Sequence, residues 1–200
     1  MLGSTARSAA ALTGINRHTA RLYFHKLREL ISEKLEADLP EKFSGEIELD
    51  ESYFGGVRKG KRGRGAAGRI PVFGLLKRGC KVLALKVPNT RTETLFPIIK
   101  AKIKPDSVVY TDSFRAYGVL DVSGFHHERI NHSELFADAQ NHINGIENFW
   151  NQAKRHLRRF NAIPRQHFHL YLKEWEWPFN YHPTENLLKV LLVWDKSPLL

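Results

Sequence analysis

The sequence predicts an α/β domain carried behind a small all-helical module. Three observations predict it. Two short apolar runs, one within residues 45–56 where Ile47 and Leu49 lead to Asp50 and one over residues 107–112 (SVVYTD), each read as a β-strand that ends on an aspartate. Apolar residues recur at helical spacing elsewhere, most clearly over residues 141–161. Ahead of all of these, residues 4–31 read as two helices broken by Thr13-Gly14-Ile15-Asn16.

Composition sets the bounds. Two hundred residues suffice for one substantial domain and an accessory module, and 42% hydrophobic residues is enough for a real core. Thirty-one Lys and Arg against twenty-one Asp and Glu leave a formal charge of +10. That balance favours a polyanionic partner, nucleic acid before an anionic membrane, through release of condensed counterions. Cys80 is the only cysteine, which excludes an internal disulfide and a thiolate zinc site within one chain and fits a reducing compartment. The start MLGSTARSAA lacks the apolar stretch of a signal peptide, and the apolar segments IPVFGLL and LLKVLLVW are too short to span a bilayer. A soluble, cytoplasmic protein with no membrane partner is expected.

In the N-terminal module, Ala9 to Leu12 form a short helical run, and Gly14 is free to turn left-handed. Asn16 is a good N-cap for a second helix, in which Ala20, Tyr23, Phe24, Leu27, Leu30 and Ile31 make the apolar side. Arg17, His18, Thr19 and Arg21 occupy its first turns, on or beside the polar side. This is the helix-turn-helix plan, with side chains able to reach base edges and phosphates, set against an ordinary helical hairpin with a solvated basic face. The first helix begins almost at Met1, so a bracing helix upstream is expected to be missing.

Residues 32–44, charged and containing Pro40, read as the end of that helix and a linker. Residues 45–56 (GEIELDESYFGG) follow, with Asp50 where the apolar alternation ends. Residues 55–69 hold six glycines and six Lys or Arg, too polar to order by burial. Arg58, Lys59, Lys61, Arg62, Arg64 and Arg69 suit contact with a phosphate backbone, against the alternative of a merely solvated loop. Ile70 to Lys77 and Lys81 to Val87 form a hairpin around Arg78-Gly79-Cys80, a turn with no evident chemistry. Thr90 is expected to cap a helix running to about Lys102, which Pro105-Asp106 ends.

The second aspartate strand leads into a helical turn at residues 113–117, and FHHERI (125–130) offers one more edge strand. In sheets with parallel strands, the C-terminal edge is where sites assemble. On the helix within 141–161, Glu147 lies just beside the apolar stripe, with Asn151, Lys154 and Arg158 following along that flank. A surface helix whose Glu147 makes only a local contact is the competing reading. Residues 164–182 look like another helix, packing through Phe168, Leu170, Leu172 and Trp175 and limited by Pro178 and Pro183. Residues 185–194 read as a short apolar helix.

Asp50, Asp112 and Glu147 stand out as hard oxygen ligands without cysteine, and such ligands select Mg²⁺ or Mn²⁺. Two ions about 4 Å apart activate an attacking oxygen and steady a leaving one in phosphoryl transfer. Glu48, Glu51, Glu128 and Asp138 compete for these roles, while His126, His127, His132 and His142 match no zinc spacing.

The matching stretches ELDESYFGG, KGKRGRGAAGR, IPVFGLLKR, VVYTDSFRAY and NHINGIENFWNQAKRHLRRFN resemble the transposases of small bacterial insertion sequences. These belong to the DDE superfamily with a ribonuclease-H-like core. The resemblance runs from about residue 5 to about residue 182. It implies a ribonuclease-H-like mixed sheet with flanking helices over 37–182, a helix-turn-helix module over 1–36 and a tail over 183–200. It implies that Asp50, Asp112 and Glu147 form the acidic triad on two Mg²⁺ or Mn²⁺ ions, with Asn144 in reserve for the third place. Lys154 matches the basic residue that accompanies the glutamate, and Arg155 and Arg158 extend that charge toward DNA. The implied activity is cleavage at transposon ends and strand transfer into target DNA by a homodimer or larger assembly on double-stranded DNA. A truncated, inactive copy acting as a DNA-binding repressor and a structure-selective nuclease on the same core are the rival classes.

Overall fold

The computed structural model describes residues 4–55, 68–130, 142–160, 163–181 and 187–196. Within it two compact units form, one from residues 40–151 and the other from residues 1–39 with 152–200. The N-terminal helices thus group with the helices that close the chain.

The first unit is built outward from β1 (Glu46–Phe54). The hairpin of β2 (Ile70–Lys77) and β3 (Val82–Lys86) adds to one side of β1 in antiparallel register, and β4 (Val108–Asp112) and β5 (His126–Ile130) add to the other in parallel. The order β3-β2-β1-β4-β5 is the ribonuclease-H-like mixed sheet. β1 is buried along almost its whole length because both its faces are covered. Side chains alternate across a strand. One face therefore carries Glu51 and Tyr53, which meet Tyr117 and Thr90. The other carries Glu48, Asp50, Ser52 and Phe54, and there Phe54 meets Trp150 of α4 (Asn144–Leu157) edge-on at 6.0 Å.

Gly74 explains how α4 comes so close. It lies opposite Asp50 in the β1–β2 ladder. A Cβ there would sit 2.4 Å from Trp150 Cζ2 and 2.9 Å from Ile146 Cδ1. Below the sheet, α3 (Thr92–Lys102) supplies Leu95 and Ile99 to the core. Its cap differs from expectation. The Asn89 side chain accepts from the Arg91 N–H and the Thr94 hydroxyl, because the Thr90 hydroxyl is taken by Tyr53 at 2.8 Å. A 3₁₀ segment, Arg115–Val122, follows β4 and buries Tyr117 and Leu120.

The second unit starts with α1 (Ala6–Thr13) and α2 (Arg17–Ala37). Gly14 takes φ 71 between them, and the Asn16 side chain accepts from the His18 N–H at 2.8 Å, as the sequence predicts. Tyr23 departs from expectation and is 63% exposed, since Ala20, Phe24, Arg28 and Ile31 define the buried stripe instead. α5 (Phe168–Asn180) runs through Pro178, which falls in the last turn and forgoes a single bond to the Glu174 carbonyl. α6 (Leu187–Lys196) adds Leu187 and Leu191 to Ile31, Leu35 and Trp177. Buried charge in this unit is paired: Arg28 donates to Glu174 at 2.6 Å while stacked 3.9 Å over Tyr171, and Lys173 donates to Glu176 at 2.7 Å. Among the described residues no helix is long and apolar enough to cross a membrane.

A methyl group at position 74 meets aromatic carbon with no room to retreat. Gly74→Ala is expected to lower stability by roughly 1–3 kcal/mol, as overpacking does, read as a shift of the urea midpoint at constant slope. An unshifted midpoint would contradict the close approach of Trp150.

Candidate active site

Asp50 is delivered by the regularity of β1. The register Glu46–Val108, Ile47–Val109 and Glu48–Tyr110 between β1 and β4, continued two residues, brings Asp50, midway along β1, level with Asp112 at the end of β4. Both are half-buried. The Asp50 carboxylate accepts the N–H of Glu51 at 2.8 Å, and Asp112 accepts the N–H of Phe114 at 2.9 Å. Asp112 ends β4 as expected, but Asp50 does not end its strand: β1 continues four residues to Phe54, because β2 pairs with it as far as Phe54 opposite Ile70.

The third element is placed by Glu48. This carboxylate is 1% exposed. One oxygen accepts the N–H of Ile146, in the first turn of α4, at 2.9 Å. It therefore satisfies an orphan donor of the helix and meets the positive end of its dipole. The other oxygen accepts from Arg78 Nε at 3.0 Å and lies 3.7 Å from His142 Nδ1. Arg78 stacks 3.7 Å over Tyr110, and donates also to the His142 carbonyl. Gly145 is required beside this carboxylate, since a Cβ there would meet Glu48 Oε2 at 2.8 Å and Leu76 at 2.5 Å. Glu147, one residue beyond the anchored N–H, is held half-buried in the same first turn.

These placements converge electrostatically. The Asp50 carboxyl is pushed up from 3.8 to about 8. Burial is the largest cause; the charges of Glu51 and Asp112 follow, the Glu51 N–H pulls the other way, and Glu147 adds to the rise. Glu51 itself is buried on the opposite face and accepts the Tyr117 hydroxyl at 3.0 Å; burial and these same carboxylates hold the Tyr117 phenol well above its usual range. Among the described residues no group of three or more His, Cys, Asp or Glu side chains is placed to hold a metal ion. The donors around Asp50 are all oxygen, the type a hard divalent cation takes, and the repulsion that raises the Asp50 carboxyl is what a cation would relieve.

The other sequence candidates are distributed differently. Lys154, Arg155 and Arg158 are exposed on α4 and just after it, and Asn144 is exposed as its first residue. Arg17, His18, Thr19 and Arg21 are exposed at the start of α2, and Arg69 is half-buried before β2. Arg58, Lys59, Lys61, Arg62 and Arg64 lie outside the described residues, as do Asp138 and His132. Glu128 is exposed on β5. Sequence reasoning missed Arg78 and Tyr117. The first lies in a turn and the second in a short irregular segment, and neither position signals a partner thirty or sixty residues away. The shared strand parity of Glu48 and Asp50 was the one available signal for Glu48.

The sheet order defines an α/β protein of the ribonuclease-H-like class. Residues 42–180 match the ISXO2-like transposase domain. The chain belongs to that family. It is 60% identical, over 121 residues, to an uncharacterized transposase-like protein of Haemophilus influenzae, covering 60% of this chain and 98% of that one. It is also 29% identical over 150 residues to an uncharacterized protein in transposable element ISH50 of Halobacterium salinarum, covering 66% of this chain and 51% of that protein. Among solved structures it is similar to a chain in the simian T-cell lymphotropic virus intasome bound to PP2A regulatory subunit B56 gamma. That similarity has 12% identity and a TM-score of 0.45, and covers 81% of this chain and 58% of that chain.

Two outcomes follow from this geometry. A carboxyl raised in the folded state holds a proton that the unfolded chain has already released between about pH 4 and pH 8, so its contribution to stability falls as pH rises through that window. Without divalent metal, the melting temperature of Asp50→Asn relative to the parent should therefore climb from about pH 4 to about pH 8 and level off beyond; parallel curves would show that Asp50 titrates normally. Glu48→Ala strands the Arg78 guanidinium and the Ile146 N–H together, at a cost of about 3 kcal/mol. The companion Arg78→Ala should add much less on top of it than alone, read from a double-mutant cycle in urea.

Proposed function

We propose that this chain is an insertion-sequence transposase that cuts DNA at transposon ends and joins the freed 3′-OH to target DNA. The observation that carries the reading is the electrostatic coupling of Asp112 and Glu147 to Asp50, in a chain that belongs to a transposase family. In the first step water attacks a phosphodiester at the element's end: a new P–O bond forms, the old one breaks, and the strand leaves as a 3′-OH. In the second, that 3′-OH attacks a target phosphodiester and the target's own 3′-oxygen departs. The number of P–O linkages is unchanged, so joining needs no energy source.

Asp50 of β1 and Asp112 at the end of β4 are the residues to hold Mg²⁺ or Mn²⁺, with Glu147 completing the set. When bound, two such ions would supply the charge that activates the attacking oxygen and steadies the leaving one. Asp50 must be ionised to serve, and its raised proton affinity means that this ionisation is itself favoured by a cation. Lys154 and the arginines of the 58–69 segment position DNA phosphates, as do Arg155 and Arg158. The α1–Gly14–α2 pair, through Arg17, His18, Thr19 and Arg21, recognises the terminal repeats. Two ends must be brought together, so the working form is a dimer or larger assembly on DNA.

The test is joining of pre-cut ends into a plasmid with Mg²⁺. Asp50→Asn, Asp112→Asn and Glu147→Gln should each reduce joining by a factor on the order of 10³ or more, about 4 kcal/mol of barrier, while end binding persists. Wild-type joining by Asp50→Asn would sink the triad, and end binding without joining by the parent protein would leave a repressor. Hydrolysis without joining would indicate a nuclease.

A further inference from the structure

A cleft of about 730 Å³ opens within the helical unit, and its walls come from both ends of the chain. Arg7, Arg17, His18 and Arg21 enter it from α1 and α2, while Arg159 and His167 enter from beyond residue 152. Among the described residues, five arginines and three histidines line it and no aspartate or glutamate does. One of those arginines, Arg28, is already spent on Glu174, and its guanidinium lies against Tyr171, which with Phe160 makes a rigid aromatic back wall at a ring separation of 4.9 Å. Arg7, Arg17 and Arg21 pair with no carboxylate among the described residues, so their charge faces solvent.

The field of this cleft is felt by its neighbour. His156 is buried against Phe160 at 5.5 Å and its Nε2 finds no partner among the described residues. Burial first, then the charges of Arg159 and Arg28, push its imidazole down to about 4. A second cation is thus kept out of a region already positive. The first residues of α1 and α2 also line the cleft, which adds the positive ends of two helices to the arginines. A volume of this size admits about one nucleotide unit with its phosphate rather than a lone ion.

We infer that this cleft is a phosphate-binding seat for the DNA backbone, composed jointly by the N-terminal helices and by Arg159 and His167. The inference rests on the transposase reading and deepens it. DNA capture is not a property of the N-terminal helix pair alone. It requires residues that follow Glu147 in the chain, so the module cannot grip DNA before the segment beyond the acidic residues has folded. The aromatic wall is occupied by Arg28 and offers shape rather than base recognition, so Arg7, Arg159 and His167 read backbone and leave sequence to Arg17, His18, Thr19 and Arg21.

The test is the salt dependence of duplex binding by the full chain, followed by fluorescence anisotropy. Arg7→Ala and Arg159→Ala should each flatten the slope of log K against log salt by about 0.9 and weaken binding about tenfold at moderate salt. Arg7→Lys and Arg159→Lys keep the charge and should keep the slope, which separates lost contact from lost fold. Lys26→Ala, outside the cleft on α2, should leave the slope unchanged. Inorganic tripolyphosphate should compete with the duplex in the parent protein. Parent-like slopes in both alanine variants would overturn the seat, and so would tripolyphosphate bound at Arg7 and Arg159 that duplex DNA fails to displace. Asp50→Asn should bind DNA with the parent slope; its joining reports on the acidic site alone, so the two readings fail separately.

Discussion

The Glu48 carboxylate is the constraint on which the sheet-bearing unit depends. A buried charge is costly unless it is paired and hydrogen-bonded. Here one oxygen takes the first-turn N–H of α4 and the other takes Arg78 Nε, while Arg78 Nη2 donates to the His142 carbonyl just ahead of the helix and Nη1 to Glu46. The result fixes α4 along its axis and about it, because a helix N–H within 2.9 Å of a rigid acceptor allows neither sliding nor rotation. Gly74 and Gly145 are the complements of that bond: each removes a Cβ that would stand between helix and sheet. Glu147 reaches the neighbourhood of Asp50 as a consequence.

The same economy of placement creates the electrostatic tension of the site. Three carboxylates of the central strand are buried or half-buried, and they are handled differently. Glu48 is paired with the Arg78 guanidinium, while Glu51 accepts the Tyr117 hydroxyl and keeps its charge. Asp50 accepts a backbone N–H, and its proton affinity rises with burial and with the charges of Glu51, Asp112 and Glu147 around it. In the helical unit the sign is reversed. Arg28 is answered by Glu174, while Arg7, Arg17 and Arg21 are left to face a cleft. Each unit thus separates charges that hold the fold from charges left for a partner.

Much of this was legible locally. The Gly14 turn and the Asn16 cap follow from short-range backbone rules, and the alternation around Asp50 and the apolar run into Asp112 fixed both strands. Where local reading failed, a competing tertiary partner had won. Thr90 gave up its cap role because Tyr53 reached its hydroxyl first, and Tyr23 turned outward because the buried stripe of α2 includes Arg28, a residue that no apolar pattern would count. Arg78 was read as an inert turn residue, since its partners are distant in the chain.

The sequence by itself determined which residues have the chemistry: acids on two strands, an acid beside a helical stripe, and a surplus of lysine and arginine. Periodicity and turn chemistry act over a few residues, so they suffice to specify elements and the parity of the side chains upon them. Which acids are neutralised and which are left charged was decided only by the tertiary structure, because burial and the pairing of Glu48 with Ile146 and Arg78 depend on contacts across the sheet. The grouping of Arg159 and His167 with Arg7 and Arg21 is of the same kind. Electrostatic free energy depends on distance in space and on exclusion of water, and neither is set by separation along the chain.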